Sequence, residues 1–163
     1  MTTTAPVEHL QEALKLQADA EVDLFYIKLK NLAAEFRFKS DDEVTWQGKK
    51  YEAMACKLSG DSQSADGEES RPLLQAMNPL GIFNSAATKG QLDLAVVTRY
   101  RVLRRNLDND INIYTRRMWY VGRIRELISG QSISLELRNM TEGANFQIPC
   151  RQFMPPDYPM VTL

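Results

Sequence analysis

The chain has 163 residues, 44% hydrophobic and 25% charged, with a formal net charge of −1. That length suits a single domain able to bury about two-thirds of its unfolded surface, and two cysteines, Cys56 and Cys150, exclude a disulfide framework. No apolar run approaches the roughly 18 residues of a membrane helix, so stable membrane insertion is not expected, and the opening MTTTAPVEHL lacks the basic-then-apolar order of a secretory signal.

In chain order, residues 5–20 predict a helix. Thr4 can cap it, Pro6 suits its first turn, and Val7, Leu10, Ala13 and Leu14 form an apolar stripe. His9, the one histidine, falls on the polar side and is expected in solvent. Residues 22–30 (VDLFYIKLK) and 35–39 (EFRFK) alternate as strands. VTWQGKKYEAM predicts strand, turn and strand, with Gly48 in the turn and Trp46 and Tyr51 flanking it. Cys56, just after, is expected to fill space as a small apolar group. Residues 59–70 (SGDSQSADGEES) are a polar loop, either merely solvated or functional.

RPLLQAMN is extended again, and residues 79–87 hold a turn and one helical turn. Residues 91–105 predict a strand with Leu92, Leu94 and Val96 in alternation, NLDND a turn, residues 111–128 a long strand that Gly122 can kink or bulge, and SISLELRNM a last strand. Three long strands joined by short turns make an antiparallel meander. The expected fold is mainly β with an N-terminal helix (α+β), an antiparallel β-sandwich or partial barrel. The expected organisation is one domain over 1–163: helix 5–20, β-domain 22–147 with the polar loop 59–70, and an extended Pro-rich arm over 148–163.

Charge is uneven along the chain. Residues 1–70 hold 8 Lys/Arg against 14 Asp/Glu, and residues 99–125 hold 8 Arg against 2 Asp. The two halves can face each other or water, or dock a neighbour of complementary charge. Nucleic-acid binding is the weaker third reading, because the arginines lie on predicted strands without an RNA-binding aromatic pattern. The possible subunit interface comprises Arg99, Arg101, Arg104, Arg105, Arg116 and Arg117. By strand alternation Arg99 and Arg101 share a side too polar for a core, which must be solvated or docked.

No catalytic set emerges. There is no phosphate-binding glycine loop and no histidine pair for zinc, and a serine nucleophile would have only His9 as base. Asp41–Asp42 and Glu68–Glu69 lie in polar, loop-like runs. No catalytic, metal or cofactor residue is expected. The rival classes are a small hydrolytic enzyme and an assembly chaperone.

VTWQGKKY, GDSQSADGEESRP and MNPLG resemble the minor tail protein L family of lambda-type phages with long non-contractile tails. The matching residues are Val44, Thr45, Trp46, Gln47, Gly48, Tyr51, Arg71, Pro72, Asn78 and Gly81. VLRRNLDNDIN resembles the family's arginine-rich strand. IPCRQF, with Pro149 and Arg151, resembles its Pro-Gly-Arg segment, with Cys150 in place of the glycine. The resemblance touches about residues 8–151.

It implies a non-enzymatic structural protein of the virion tail tip, present in host cytoplasm during assembly, with a tail-tube- or hub-like β-fold. The implied partners are further copies of itself in a ring, expected to be a trimer, the distal tail protein ring, and the central hub or receptor-binding protein. Such a ring surrounds the DNA channel without sequence-specific binding. Family members continue into a cysteine-rich iron–sulfur domain. A four-thiolate site needs four cysteines, so no cluster is expected from Cys56 and Cys150 alone. On this reading the polar loop either interlocks with a neighbour's basic sheet or faces the channel, where acids repel DNA.

Overall fold

The computed structural model describes residues 6–15, 18–30, 34–61 and 71–139. Among the described residues, three α-helices, one 3-10 turn and nine strands follow in the order α1 (Val7–Ala13), β1 (Glu21–Lys28), β2 (Glu35–Lys39), β3 (Val44–Trp46), β4 (Lys49–Ala53), β5 (Cys56–Ser59), β6 (Leu73–Met77), the 3-10 turn (Pro79–Gly81), α2 (Asn84–Thr88), β7 (Val96–Leu103), α3 (Arg104–Asp108), β8 (Thr115–Ile128) and β9 (Ser132–Asn139). The strands join one sheet in the order β3-β4-β2-β1-β7-β8-β9-β6-β5. The meander β7-β8-β9 lies at its middle, as its alternation predicts. One pairing departs from the antiparallel expectation: β2 and β4 run parallel.

The sheet curls around the larger of its two apolar clusters. Phe25 and Ile27 of β1, Phe38 of β2, Val97 of β7, Val121 of β8, Leu135 and Leu137 of β9, and Leu74 of β6 are buried in one cluster. The segment from β4 to β5 brings the far ends of the sheet together. The Met54 N–H donates to the Lys39 carbonyl (2.8 Å) and the Met77 N–H to the Ala55 carbonyl (2.9 Å). The Ser40 hydroxyl donates to the Cys56 carbonyl at 2.6 Å. The result is a partial barrel, and Phe83 and Ala86, at and within α2, pack into the same core. Phe83 packs tilted against Phe36, with ring centroids 4.7 Å apart.

Alternation builds a second core on the opposite face. Leu24 of β1 and Val102 of β7 point away from the barrel interior. The β3–β4 hairpin covers them with Trp46 and Tyr51, and α3 adds Leu107.

Several expectations need correction. The helix is α1 alone, ending at Ala13, and it packs the other way round. His9 and Glu12 are buried, whereas Val7, Leu10 and Leu14 are exposed. The Glu12–Arg105 ion pair at 3.2 Å holds this orientation, and His9 Nδ1 lies 3.5 Å from a Glu21 carboxylate oxygen. The strand expected over 91–105 begins only at Val96. Leu94 has φ +59°, which turns the chain and leaves Leu94 exposed while Leu92 is buried. Arg104 and Arg105 are not strand residues but open α3, which takes up the first three residues of NLDND; the expected turn falls at residues 109–110, and the strand expected from 111 begins at Thr115. Thr4, the loop residues 62–70 and the arm 148–163, with Pro149, Cys150 and Arg151, lie outside the described residues.

Candidate functional site

Three constructions stand out, each assembled from residues far apart in sequence. The first is the VTWQG hairpin. Its two-residue turn places Gln47 at φ +51° and Gly48 at φ +68°, the geometry that a hairpin's twist favours. Glycine adopts it freely, whereas Gln47 does so at a cost of about 1–2 kcal/mol. The surroundings hold it there. The Gln47 N–H donates to Asp110 Oδ1 (2.6 Å) and its side-chain amide to the Asp110 carbonyl (2.7 Å). Trp46, 4% exposed, donates its indole N–H to the Ile111 carbonyl at 3.3 Å. It packs edge-on against Tyr114 and tilted against Tyr100. The hairpin thus clamps the connection between β7 and β8. Tyr51 is buried beneath it, and burial pushes its phenol up to about 12. Val44 is half-buried and Thr45 exposed.

The second construction lies on the barrel-facing side of the sheet, beyond the apolar core. Arg99 and Arg117 sit directly opposite each other on β7 and β8, a repulsive cross-strand pair by itself. Asp61, the first described residue after β5 and Gly60, resolves it by binding both at 2.6 Å. Asp23 holds Arg101 through two bonds of 2.8 and 3.1 Å, and Glu21 lies 3.4 Å from the same guanidinium. Arg99 is 5% exposed and lies over the Trp119 ring. Burial pulls its guanidinium below the usual value, while Asp23 and Asp61 pull the other way. Three arginines thus face three carboxylates. The sequence left these arginines to be met by the chain's acidic half, by water or by a docked neighbour. The structure shows the first of these: Arg99, Arg101 and Arg117 are paired within the chain, with Asp61 of the polar loop as a principal counter-charge, and Arg99 is buried rather than solvated or docked. Arg105 pairs with α1, Arg104 is exposed, and Arg116 stands opposite Tyr100, on the other face.

The third construction was not legible as a site. On the outer face of β6, β8 and β9, a pocket of about 390 Å³ is lined by Arg71, Leu73, Arg123, Arg125, Glu136 and Arg138. Glu136 is buried, with Arg125 at 3.2 Å, Arg71 at 3.6 Å and Arg123 at 3.8 Å. The remaining motif residues frame β6. The Pro72 carbonyl accepts from Leu137 N–H (2.8 Å) and so places Arg71 beside Glu136. Asn78 is fully buried, accepting from the Phe83 N–H and donating to Asn84 and to the Ile128 carbonyl. Gly81, at φ +69°, leaves room for Asn84 that a Cβ would fill. Cys56 is half-buried, with its thiol 3.3 Å from Ser40, and burial pushes that thiol up.

Among the described residues, no group of three or more His, Cys, Asp or Glu is placed to hold a metal, and no helix is long and apolar enough to cross a membrane. Residues 22–157 match the family described as phage minor tail protein L, and the chain belongs to that family, a structural protein of the phage virion. Among solved structures, it resembles a chain from the virion of a native gene transfer agent particle, with TM-score 0.62 and 13% identity. The match covers 83% of this chain and 45% of the other, a likeness of fold. No curated protein matches the sequence.

Proposed function

We propose that the protein is a component of the tail tip, where copies form a ring around the DNA channel. The ring joins the distal tail tube to the central hub or receptor-binding protein. The unit of assembly is a single domain over residues 1–163, three copies complete the ring, and the work is done without catalytic turnover. The family match over residues 22–157 carries this reading. The clamped hairpin supports it, since a ring subunit under the load of DNA ejection benefits from loops tied to its sheet.

Quantitative mass spectrometry of purified virions tests the proposal. The expected result is a fixed copy number divisible by three. Absence from the particle, or purified protein that turns over cell-wall material, overturns it.

A further inference from the structure

Among the described residues, nine large apolar side chains are exposed, and seven of them fall at two places. Val7, Leu10 and Leu14 form the outer stripe of α1. Met77, Leu80, Leu127 and Ile128 gather where β6 and β8 end. Exposed apolar residues scattered singly need no explanation, whereas grouped ones mark contact surfaces.

The Leu80 end is built by specific bonds. Leu80 holds φ +54° and ψ +12°, a left-handed conformation that is unfavourable for a bulky side chain. It is also 98% exposed, so the fold gains almost no packing from a residue that it strains. The neighbours impose the strain. The Asn78 N–H donates to the Gln131 carbonyl at 3.0 Å, and the Gly81 N–H to the Asn78 carbonyl at 3.1 Å. The buried Asn78 side chain accepts from the Phe83 N–H and donates to the Ile128 carbonyl. Asn84 donates to the Ser129 hydroxyl at 2.7 Å. These bonds lock the Asn-Pro-Leu-Gly turn onto the β8–β9 hairpin. Beside it, Met77 and Ile128 both stand opposite Ser132 in one cross-strand row. The turn thus projects a leucine beside an apolar ledge. Backbone strain held in place by surrounding bonds is a pointer to function.

The stripe on α1 is its counterpart. Glu8, His9 and Glu12 engage the helix's polar side with its own chain, so the apolar side faces away from the sheet. Side chains at such helical spacing form ridges, and the grooves between them accept a single apolar knob. The helix sits where β1 starts and β7 ends, and there the Arg104 N–H donates to the Ala20 carbonyl at 2.8 Å. At that end β8 begins, with Thr115 opposite Arg101. The Leu80 turn sits by Ile128, at the other end of the 14-residue β8.

We propose that Leu80, with Met77 and Ile128 beside it, docks on the Val7–Leu10–Leu14 stripe of α1 in a second copy of this chain. A second copy is the occupant because the two surfaces match in chemistry, differ in shape and lie at opposite ends of one strand. A single repeated operation then joins each copy to the next. Different patches meeting head to tail make a heterologous contact, the kind that closes into rings. Pairing α1 with α1, or Leu80 with Leu80, would stop at a two-fold pair. The inference rests on the ring reading above and names a contact within it.

The test uses particles assembled with each variant as the sole copy: L80E, L10K/L14K, these three changes combined, and L80G. Copies per particle are counted by mass spectrometry. L80E, L10K/L14K and L80G are each expected to lower incorporation by at least about tenfold, equivalent to roughly 1.4 kcal/mol. The combination is expected to restore it, through opposite charges at the same contact. Urea denaturation of the purified chain is expected to find L80G at least as stable as the wild type, because glycine adopts positive φ freely. A less stable L80G would mean that the leucine serves its own fold, and overturns the proposal. Normal incorporation of L80E, L10K/L14K or L80G overturns it too, as does loss without restoration by the combination. Circular dichroism checks folding; if L10K/L14K disturbs α1, L14K replaces it in both arms. Any of these failures, in a protein whose wild-type copy number is divisible by three, refutes the contact and leaves the ring reading standing. Absence of the wild-type chain from particles refutes the ring reading, and the contact with it.

Discussion

Trp46 and Gln47 tie the β3–β4 turn to a connection more than sixty residues further along the chain. Gln47 and Asp110 both hold positive φ, at +51° and +53°, and their mutual hydrogen bonds fix two unfavourable backbone positions at once. Trp46 adds buried area and two ring contacts. Truncating Trp46 to Ala is expected to cost about 3–5 kcal/mol, measured by urea denaturation; a loss below about 1 kcal/mol would show that the indole does not anchor the clamp. The hairpin and its flanking aromatics were readable from Gly48 and the alternation around it. Their partner was not: Asp110 closes a polar run whose local pattern signals only a turn, and Ile111 reads as the start of a strand that the structure begins at Thr115.

At the scale of elements, α1 shows how ion pairs can override periodicity. Its apolar residues recur at helical spacing, yet Val7 and Leu14 are 67% and 88% exposed. Glu8 and Glu12 instead tie the helix to Arg105 and Asn106 of α3. Bonds from Lys15 and from the Asp19 N–H, with the charge of Arg105, hold the Glu12 carboxyl below its ordinary 4.5. A carboxylate with a lowered folded pKa stabilises fully above its unfolded value and loses that contribution as pH falls through the folded one. Acid titration monitored by amide exchange in α1 is therefore expected to show loosening below about pH 4.5, and Glu12→Gln to remove that pH dependence. An unchanged acid profile in Glu12→Gln would place the helix's attachment elsewhere. The strands β2 and β9 were legible because their alternation is uninterrupted. The onset of β7 was not, because Leu94 is chemically a strand residue and only its positive φ makes it a turn.

For the whole molecule, the curl of the sheet determines what each charged strand does. The same arginine-rich segment supplies an internal cluster through Arg99, Arg101 and Arg117, and an external one about Glu136 through Arg123 and Arg125. A linear charge count over residues 99–125 merges the two, because neither the bulge that Gly122 makes between Val121 and Arg123 of β8 nor the reach of Asp61 across the barrel has a one-dimensional signature. The family likeness was visible in VTWQG and RP, and the structure supplies their physical reason: one clamps the β7–β8 connection, and the other starts β6 and brings Arg71 to Glu136. The central claim, a ring around the DNA channel, is tested most directly by a cryo-electron microscopy reconstruction of the tail end. The expected density is a closed ring of this fold between the last tail-tube layer and the central hub. Density for this fold on peripheral fibres, or no density for it anywhere in the particle, would contradict the account.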